Sequence, residues 1–246
     1  MKRRQRGPVL IIGAHRSGTT ATAGALEILG LQIGQHLDSH REPRPLQRLH
    51  EEYLRRVGAA WYEPGAFLLQ LRTSEGRRAC VNYLRAGVQD AFAKTFGYRK
   101  NPRGLWLLAR LKLGAVWGWK EPRTTLFAPA WLEIFPDARL IHIVRDTLAA
   151  ATSIRERELK FQAAGDKPSG RIGNLDYCLS LVETYVSAGE SLAGAANYRR
   201  IQFEDIQANP RGALTELASF CELDSANEQI ETAADTIRPE RVRSAS

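Results

Sequence analysis

The chain has 246 residues, 43% of them hydrophobic, and a net charge of +8, enough to bury one substantial core, so one domain over 1–246 is expected rather than two. Three scattered cysteines (Cys80, Cys178, Cys221) with no C-x-x-C pair exclude a disulfide framework and a zinc site, and they fit a reducing cytoplasm. No apolar run approaches the ~18 residues of a membrane span. The basic residues are dispersed, with no aromatic-interleaved basic helix, so the excess charge points to an anionic ligand and away from nucleic acid.

Lys2-Arg3-Arg4 opens a basic tail over 1–7, with too short an apolar stretch behind it for a signal peptide. Val9 to Ile12 reads as a buried β-branched strand. It runs into the loop Gly13-Ala14-His15-Arg16-Ser17-Gly18 and then a helix through Leu26 and Leu29 to a Gly30 C-cap. Leu46, Leu49, Tyr53 and Leu54 mark a second amphipathic helix. A long helix is expected over 77–96 with Gly97 as its stop, then a looser stretch around Asn101-Pro102-Arg103-Gly104. Val116–Trp119 is a short strand candidate, Leu126–Phe135 a helix, Arg139–Val144 a buried strand, and Thr147–Leu159 a helix. The Gly-rich segment 165–173 is the candidate mobile loop. Helix resumes over Leu175–Leu192, strand over Arg199–Phe203, and Asn209-Pro210 starts a last helix before a C-terminal tail over 236–246. Strands alternating with helices predict an α/β fold, a three-layer parallel sheet with helices on both faces.

The loop after the first strand leaves backbone N–H groups open at a helix N-terminus, which makes it a phosphate cradle unless it is an ordinary βα turn. Thr19 stands where a nucleotide-hydrolysing P-loop needs Lys, which argues against a triphosphate, and Arg16 supplies a cation inside the loop. Arg145 follows the strand ending at Val144, where ligand groups of a parallel sheet gather, and Ser153 lies eight residues on. The two could clamp a second phosphate; alternatively Arg145-Asp146 is a structural ion pair.

Together these motifs resemble the sulfotransferases that use 3′-phosphoadenosine 5′-phosphosulfate (PAPS). In that family an Arg/Lys-Ser-Gly-Thr-Thr loop holds the 5′-phosphosulfate, matched by Arg16, Ser17, Gly18, Thr19 and Thr20. An Arg at a later strand end and a Ser eight residues on hold the 3′-phosphate, matched by Arg145 and Ser153. Trp117-Gly118-Trp119-Lys120-Glu121-Pro122-Arg123 looks like the Lys-Asp/Glu-Pro segment of bacterial and tyrosylprotein-type members. Phe135-Pro136-Asp137-Ala138 resembles the usual lead-in to the 3′-phosphate motif. Phe203-Glu204-Asp205-Ile206 with Asn209-Pro210 resembles the Tyr-Glu-Asp-Leu segment. The likeness spans nearly the whole chain and weakens over 60–115.

The resemblance implies a P-loop-containing nucleotide-transferase fold, PAPS as co-substrate and no metal. The acceptor would be a small molecule, carbohydrate, lipid or peptide. Arg16 and the loop N–H groups would offset charge growing on the bridging oxygen, and Lys120 would hold the sulfuryl oxygens or the leaving phosphate. Pro122 occupies the place of the cytosolic branch's catalytic His, and Ala21 that of its adenine-stacking aromatic. Counting back from Leu49-His50-Glu51-Glu52, as in bacterial relatives, gives Glu42 as candidate base, with His40 and Glu51 as rivals and a solvated carboxylate as the bland reading. Two other functions stay open. One is a degenerate, non-catalytic nucleotide- or partner-binding fold. The other is an atypical P-loop kinase using Asp146 or Asp205 for magnesium. Arg238, Arg241 and Arg243 are either further 3′-phosphate cations or a frayed basic tail.

Overall fold

The computed structural model describes residues 7–96, 114–164 and 170–237. Four strands, β1 (Val9–Ile12), β2 (Gly118–Lys120), β3 (Arg139–Val144) and β4 (Tyr198–Gln202), form one parallel sheet in the order β2-β1-β3-β4. Because β1 lies between β2 and β3, the chain leaves it first to one side and later returns on the other. The loops after β1 and β3 therefore diverge at the sheet's carboxyl edge and leave a crevice there, where ligands of open α/β sheets bind.

All four residues of β1 are buried, since helices cover both faces and a doubly covered strand needs no polar alternation. Leu10, Ile12, Trp119 and Leu140 point into one core, packed by α2 (Arg44–Arg56), α3 (Gly65–Leu71), α4 (Ser74–Thr95), α5 (Thr124–Ile134), α6 (Thr147–Ala163) and α7 (Leu175–Glu190). Val9, Ile11, Ile141 and Ile143 face the other core, with α1 (Thr19–Ile28), α8 (Phe203–Ala208), α9 (Pro210–Cys221) and α10 (Asn227–Asp235). The alternation along β1 and β3 is the period-two geometry of a strand, apolar on both sides except at Arg139, the first residue of β3, and at the buried His142, whose Nδ1 meets Tyr198 Oη at 2.7 Å.

Among the described residues, side-chain caps fix the start of four helices, three of which bear on the sequence expectation. The Thr73 hydroxyl accepts from the Gly76 N–H at 3.0 Å, so α4 starts at Ser74 and not at residue 77. Asp146 accepts from Ala149 N–H at 2.8 Å and opens α6, which runs on to Ala163. Asn209 accepts from Gly212 N–H at 3.1 Å with Pro210 in the first turn of α9, as the sequence predicts. The expected strand over 199–203 is shifted by one residue, because Phe203 already begins α8. Helices α3, α8 and α10, of seven, six and nine residues, are additions to the sequence expectation.

Part of the expected mobile loop is pinned: Ile172 is buried, Arg155 Nε donates to the Gly173 carbonyl at 2.9 Å, and Cys178 Sγ contacts the Ile172 carbonyl. Residues 165–169, the tail over 1–6, Gly97, the 101–104 stretch and Arg238, Arg241 and Arg243 lie outside the described residues. Among the described residues no helix is long and apolar enough to cross a membrane.

Candidate functional site

The loop after β1 is built against its neighbours through backbone geometry that few residues can adopt. Gly13 has φ 148° and its missing Cβ would lie 2.3 Å from the Ile143 carbonyl; Gly18 has φ 85° and a Cβ there would strike the Phe203 ring at 2.2 Å. Gly13 N–H donates to Thr125 Oγ1 at 2.8 Å, and that hydroxyl donates to the Gly13 carbonyl at 3.1 Å, tying the loop to α5. Arg16, at φ 67°, is a non-glycine residue in the left-handed region, strain of the kind found at functional sites. Among the described residues the N–H groups of Arg16, Gly18, Thr19 and Thr20 have no backbone partner, and the buried Ser17 hydroxyl has none at all. These open donors, at the positive end of α1, form an anion cradle.

Beside it three guanidinium groups converge. Arg16 Nε donates to Ser153 Oγ at 2.9 Å, and Arg145 Nη1 donates to the Arg16 carbonyl at 3.1 Å. The two motifs that the sequence separates by more than a hundred residues are thus in direct contact. Arg157, one turn beyond Ser153 on α6, lines the same cleft with its Nε buried and unpartnered. The Arg16 pKa is lowered by burial first and then by the Arg145 charge; that of Arg157 by burial and then by Arg16. Glu156 partly offsets the Arg16 charge, and Glu42 and Glu158 that of Arg157, yet the balance still lowers both pKa values, so a further anion between the three would relieve their repulsion. Instead of pairing with each other, Asp146 Oδ1 caps α6 and the Arg145 guanidinium turns to the Arg16 carbonyl. The sequence reading missed Arg157, although its i+4 spacing from Ser153 put it on the same helix face.

The third group lies where the 36–44 segment closes over the cleft. Lys120, at the carboxyl end of β2, is 1% exposed; its Nζ donates to Glu42 Oε1 at 2.7 Å and to Thr20 Oγ1 at 3.1 Å. Burial lowers the Lys120 pKa, with Glu42 opposing. Glu42 is 6% exposed and its second oxygen accepts from Gln47 Nε2 at 2.7 Å. Both side chains are therefore buried site groups and not solvated surface charges. Of the rival bases, His40 lines the cleft, whereas Glu51 is half-exposed and pairs with Arg123 at 2.7 Å.

Behind Lys120 runs a buried network the sequence did not disclose. Glu121 accepts from His50 Nδ1 at 2.5 Å and from Arg123 Nη1 at 2.5 Å; Arg123 reaches on to Glu51, and Trp131 Nε1 donates to His50 Nε2 at 3.0 Å. It ties β2, which carries Lys120, to α2, which follows Glu42. Burial alone would raise the Glu121 pKa. The Arg123 charge and the His50 hydrogen bond outweigh it and hold the carboxyl well below the usual range. A depressed folded pKa contributes stability that is complete above the unfolded value of ~4.3 and drains away as pH falls through the lower folded value. Glu121→Gln is expected to cost about 3 kcal/mol at neutral pH by leaving Arg123 under-compensated. It should also flatten the loss of stability below pH ~4 that the parent shows. Thermal melts from pH 2 to 8 check both; equal acid sensitivity in the two proteins would contradict the assignment.

These groups enclose a cleft of about 350 Å³ between the loop, α6 and the 36–44 segment, lined by Arg16, Arg41, Lys120, Arg145 and Arg157 against the single carboxylate of Glu42. It has the chemistry for a ligand carrying more than one anionic group. Ala21, Gly24 and Ile28 continue it along one face of α1, a small apolar wall suited to a flat ring. No cluster of metal-ligating side chains occurs among the described residues.

A family profile described as the sulfotransferase family matches residues 8–227. No curated protein sequence matches. Three solved structures are similar in fold. A mouse sulfotransferase, SULT7A1, complexed with PAP, shares 12% identity at a TM-score of 0.55, covering 98% of this chain and 67% of its own. The sulfotransferase domain of the Synechococcus PCC 7002 olefin synthase shares 17% at 0.51, covering 94% and 78%. Sulfotransferase STF9 of Mycobacterium avium shares 17% at 0.51, covering 98% and 69%.

Proposed function

The chain belongs to the sulfotransferase family, and we propose that it moves a sulfuryl group from PAPS to a hydroxyl or amine acceptor. The observation that carries this reading is Lys120 Nζ, which touches the phosphate loop at Thr20 and the candidate base Glu42 at once. When bound, PAPS supplies an SO₃ group on its 5′-phosphate. The open N–H groups of Gly18, Thr19 and Thr20 would receive that phosphate. Arg145 and Ser153, with Arg16 and Arg157 beside them, would take the 3′-phosphate, and the convergence of three guanidinium groups with a hydroxyl is what fits them to it. Lys120 lies where negative charge grows as the S–O bond to phosphate breaks. Glu42 receives the acceptor proton as the new S–O bond forms. Against the kinase reading stands Thr19, in the place of the lysine that a nucleotide-hydrolysing P-loop needs. The three cysteines are buried free thiols, which supports a cytoplasmic setting.

Calorimetry tests the nucleotide assignment. Adenosine 3′,5′-bisphosphate should bind more tightly than AMP, and Arg145→Ala should erase most of the difference, a loss of about 2–4 kcal/mol for a charge-assisted contact at a part-buried site. Equal affinity of the parent for the two nucleotides would remove the 3′-phosphate subsite and this reading with it.

A further inference from the structure

Two imidazoles line the same cleft, and the transfer described above, with Glu42 as base, leaves both unused. His15, immediately before the loop arginine, lines the cleft at 7% exposure. Its ring lies on Trp61 with centroids 4.3 Å apart, and Tyr185 stands edge-on at 5.8 Å. Trp61 is itself fixed, since Tyr185 Oη donates to its carbonyl at 2.9 Å. His40 lines the cleft from the segment that carries Glu42, held through its backbone N–H on Asp38. Among the described residues neither ring makes a hydrogen bond, and His15 Nε2 is wholly buried.

Burial, aided by the Arg123 and Arg157 charges, holds His15 well below its ordinary pKa, and burial outweighs Glu42 and Asp38 at His40. Each ring is then neutral at pH 7 and, carrying one N–H donor and one bare acceptor nitrogen, can present either to the cleft by its choice of tautomer, at His15 through Nδ1 because Nε2 is buried. That pairing suits a hydroxyl, which also donates and accepts. A carboxylate or sulfate only accepts, and an alkyl chain leaves both rings unpaired.

Resting on the sulfuryl-transfer reading, we infer that the acceptor is an uncharged, polyhydroxylated molecule of the sugar-ring class. Its reacting hydroxyl meets Glu42, and its neighbouring hydroxyls are held by His15 and His40.

The test uses the full chain with PAPS and a panel of neutral methyl glycosides (glucose, galactose, N-acetylglucosamine), methyl glucuronide and 1-octanol. At least one neutral glycoside should exceed the glucuronide and octanol in kcat/KM by roughly tenfold or more, the worth of one or two hydrogen bonds. His15→Phe keeps a ring on Trp61 but removes both nitrogens, and should lower kcat/KM for that glycoside roughly tenfold. His15→Asn keeps a donor and an acceptor and should restore much of it. Independently of turnover, the glycoside should shift the imidazole ¹⁵N resonances of His15 and His40 in the bisphosphate complex. Three results would overturn the inference: preference for the glucuronide or octanol, no transfer to any glycoside while bisphosphate binds, or His15→Phe tolerated and His15→Asn not. Failure of the parent to bind bisphosphate would instead overturn the sulfuryl-transfer reading, and it is seen before any acceptor is added.

Discussion

Glu42→Gln is expected to cut turnover roughly 10²–10⁴-fold, the worth of a positioned general base, while leaving bisphosphate affinity within about threefold of the parent, because the loop donors and arginines are untouched. A hydroxyl acceptor must lose its proton as the S–O bond forms, and by the resemblance Pro122 stands in the place of the cytosolic branch's catalytic histidine. Glu42 is the carboxylate that lines the cleft, and it lies against Lys120. The substitution preserves shape and the contact with Gln47 but takes away the counter-ion of a buried ammonium. Lys120 will lose its proton more readily, and some stability goes with it. A melt of each variant is therefore part of the measurement, and Glu42→Asp, which keeps the charge on a shorter arm, should fall between. Glu51 is turned to Arg123 outside the cleft, so Glu51→Gln should leave the rate near the parent's. Retained turnover in Glu42→Gln together with its loss in His40→Ala would move the base to His40.

Lys120→Ala should slow transfer about 10²–10³-fold, as removing one preorganised donor from a developing charge does. Bisphosphate affinity should fall much less, since the ammonium is needed most where charge grows in the transition state. The pH profile carries a signature. Lys120 acts as the protonated form, and burial holds its pKa below the ordinary lysine value of ~10.4 despite Glu42. Activity should therefore be lost as pH rises through a value lower than a free lysine's, and that limb should vanish in Lys120→Ala. Unchanged turnover in this variant would mean that Lys120 serves only to hold Glu42.

The parts legible in the sequence are those whose cause is local. The short runs rich in Val, Leu and Ile of β1 and β3, the glycines around Arg16, and Asn209 before Pro210 each carry their reason within a few residues. The same holds for the eight-residue step from Arg145 to Ser153. Helices α3 and α8 are too short to be stable alone, and only packing against the cores makes them form. The Lys120–Glu42 ion pair joins residues 78 apart, and the His50–Glu121 contact residues 71 apart. Neither pairing has a local signal. Glu42 came from a family spacing, and what spacing could not supply was its burial beside Lys120. Arg157 is the opposite case: its signal was local, one turn past Ser153, but a charge in the run Arg155-Glu156-Arg157-Glu158 reads as a solvated face until the fold turns it inward.

The most direct test of the account is a crystal structure with adenosine 3′,5′-bisphosphate. The 5′-phosphate should lie within hydrogen-bond distance, about 3 Å, of the Gly18, Thr19 and Thr20 N–H groups. The 3′-phosphate should lie on Arg145 and Ser153, and the open space beyond the 5′-phosphate should face Lys120 and Glu42. A nucleotide bound in the reverse sense, or elsewhere than between these two sets of donors, would contradict it.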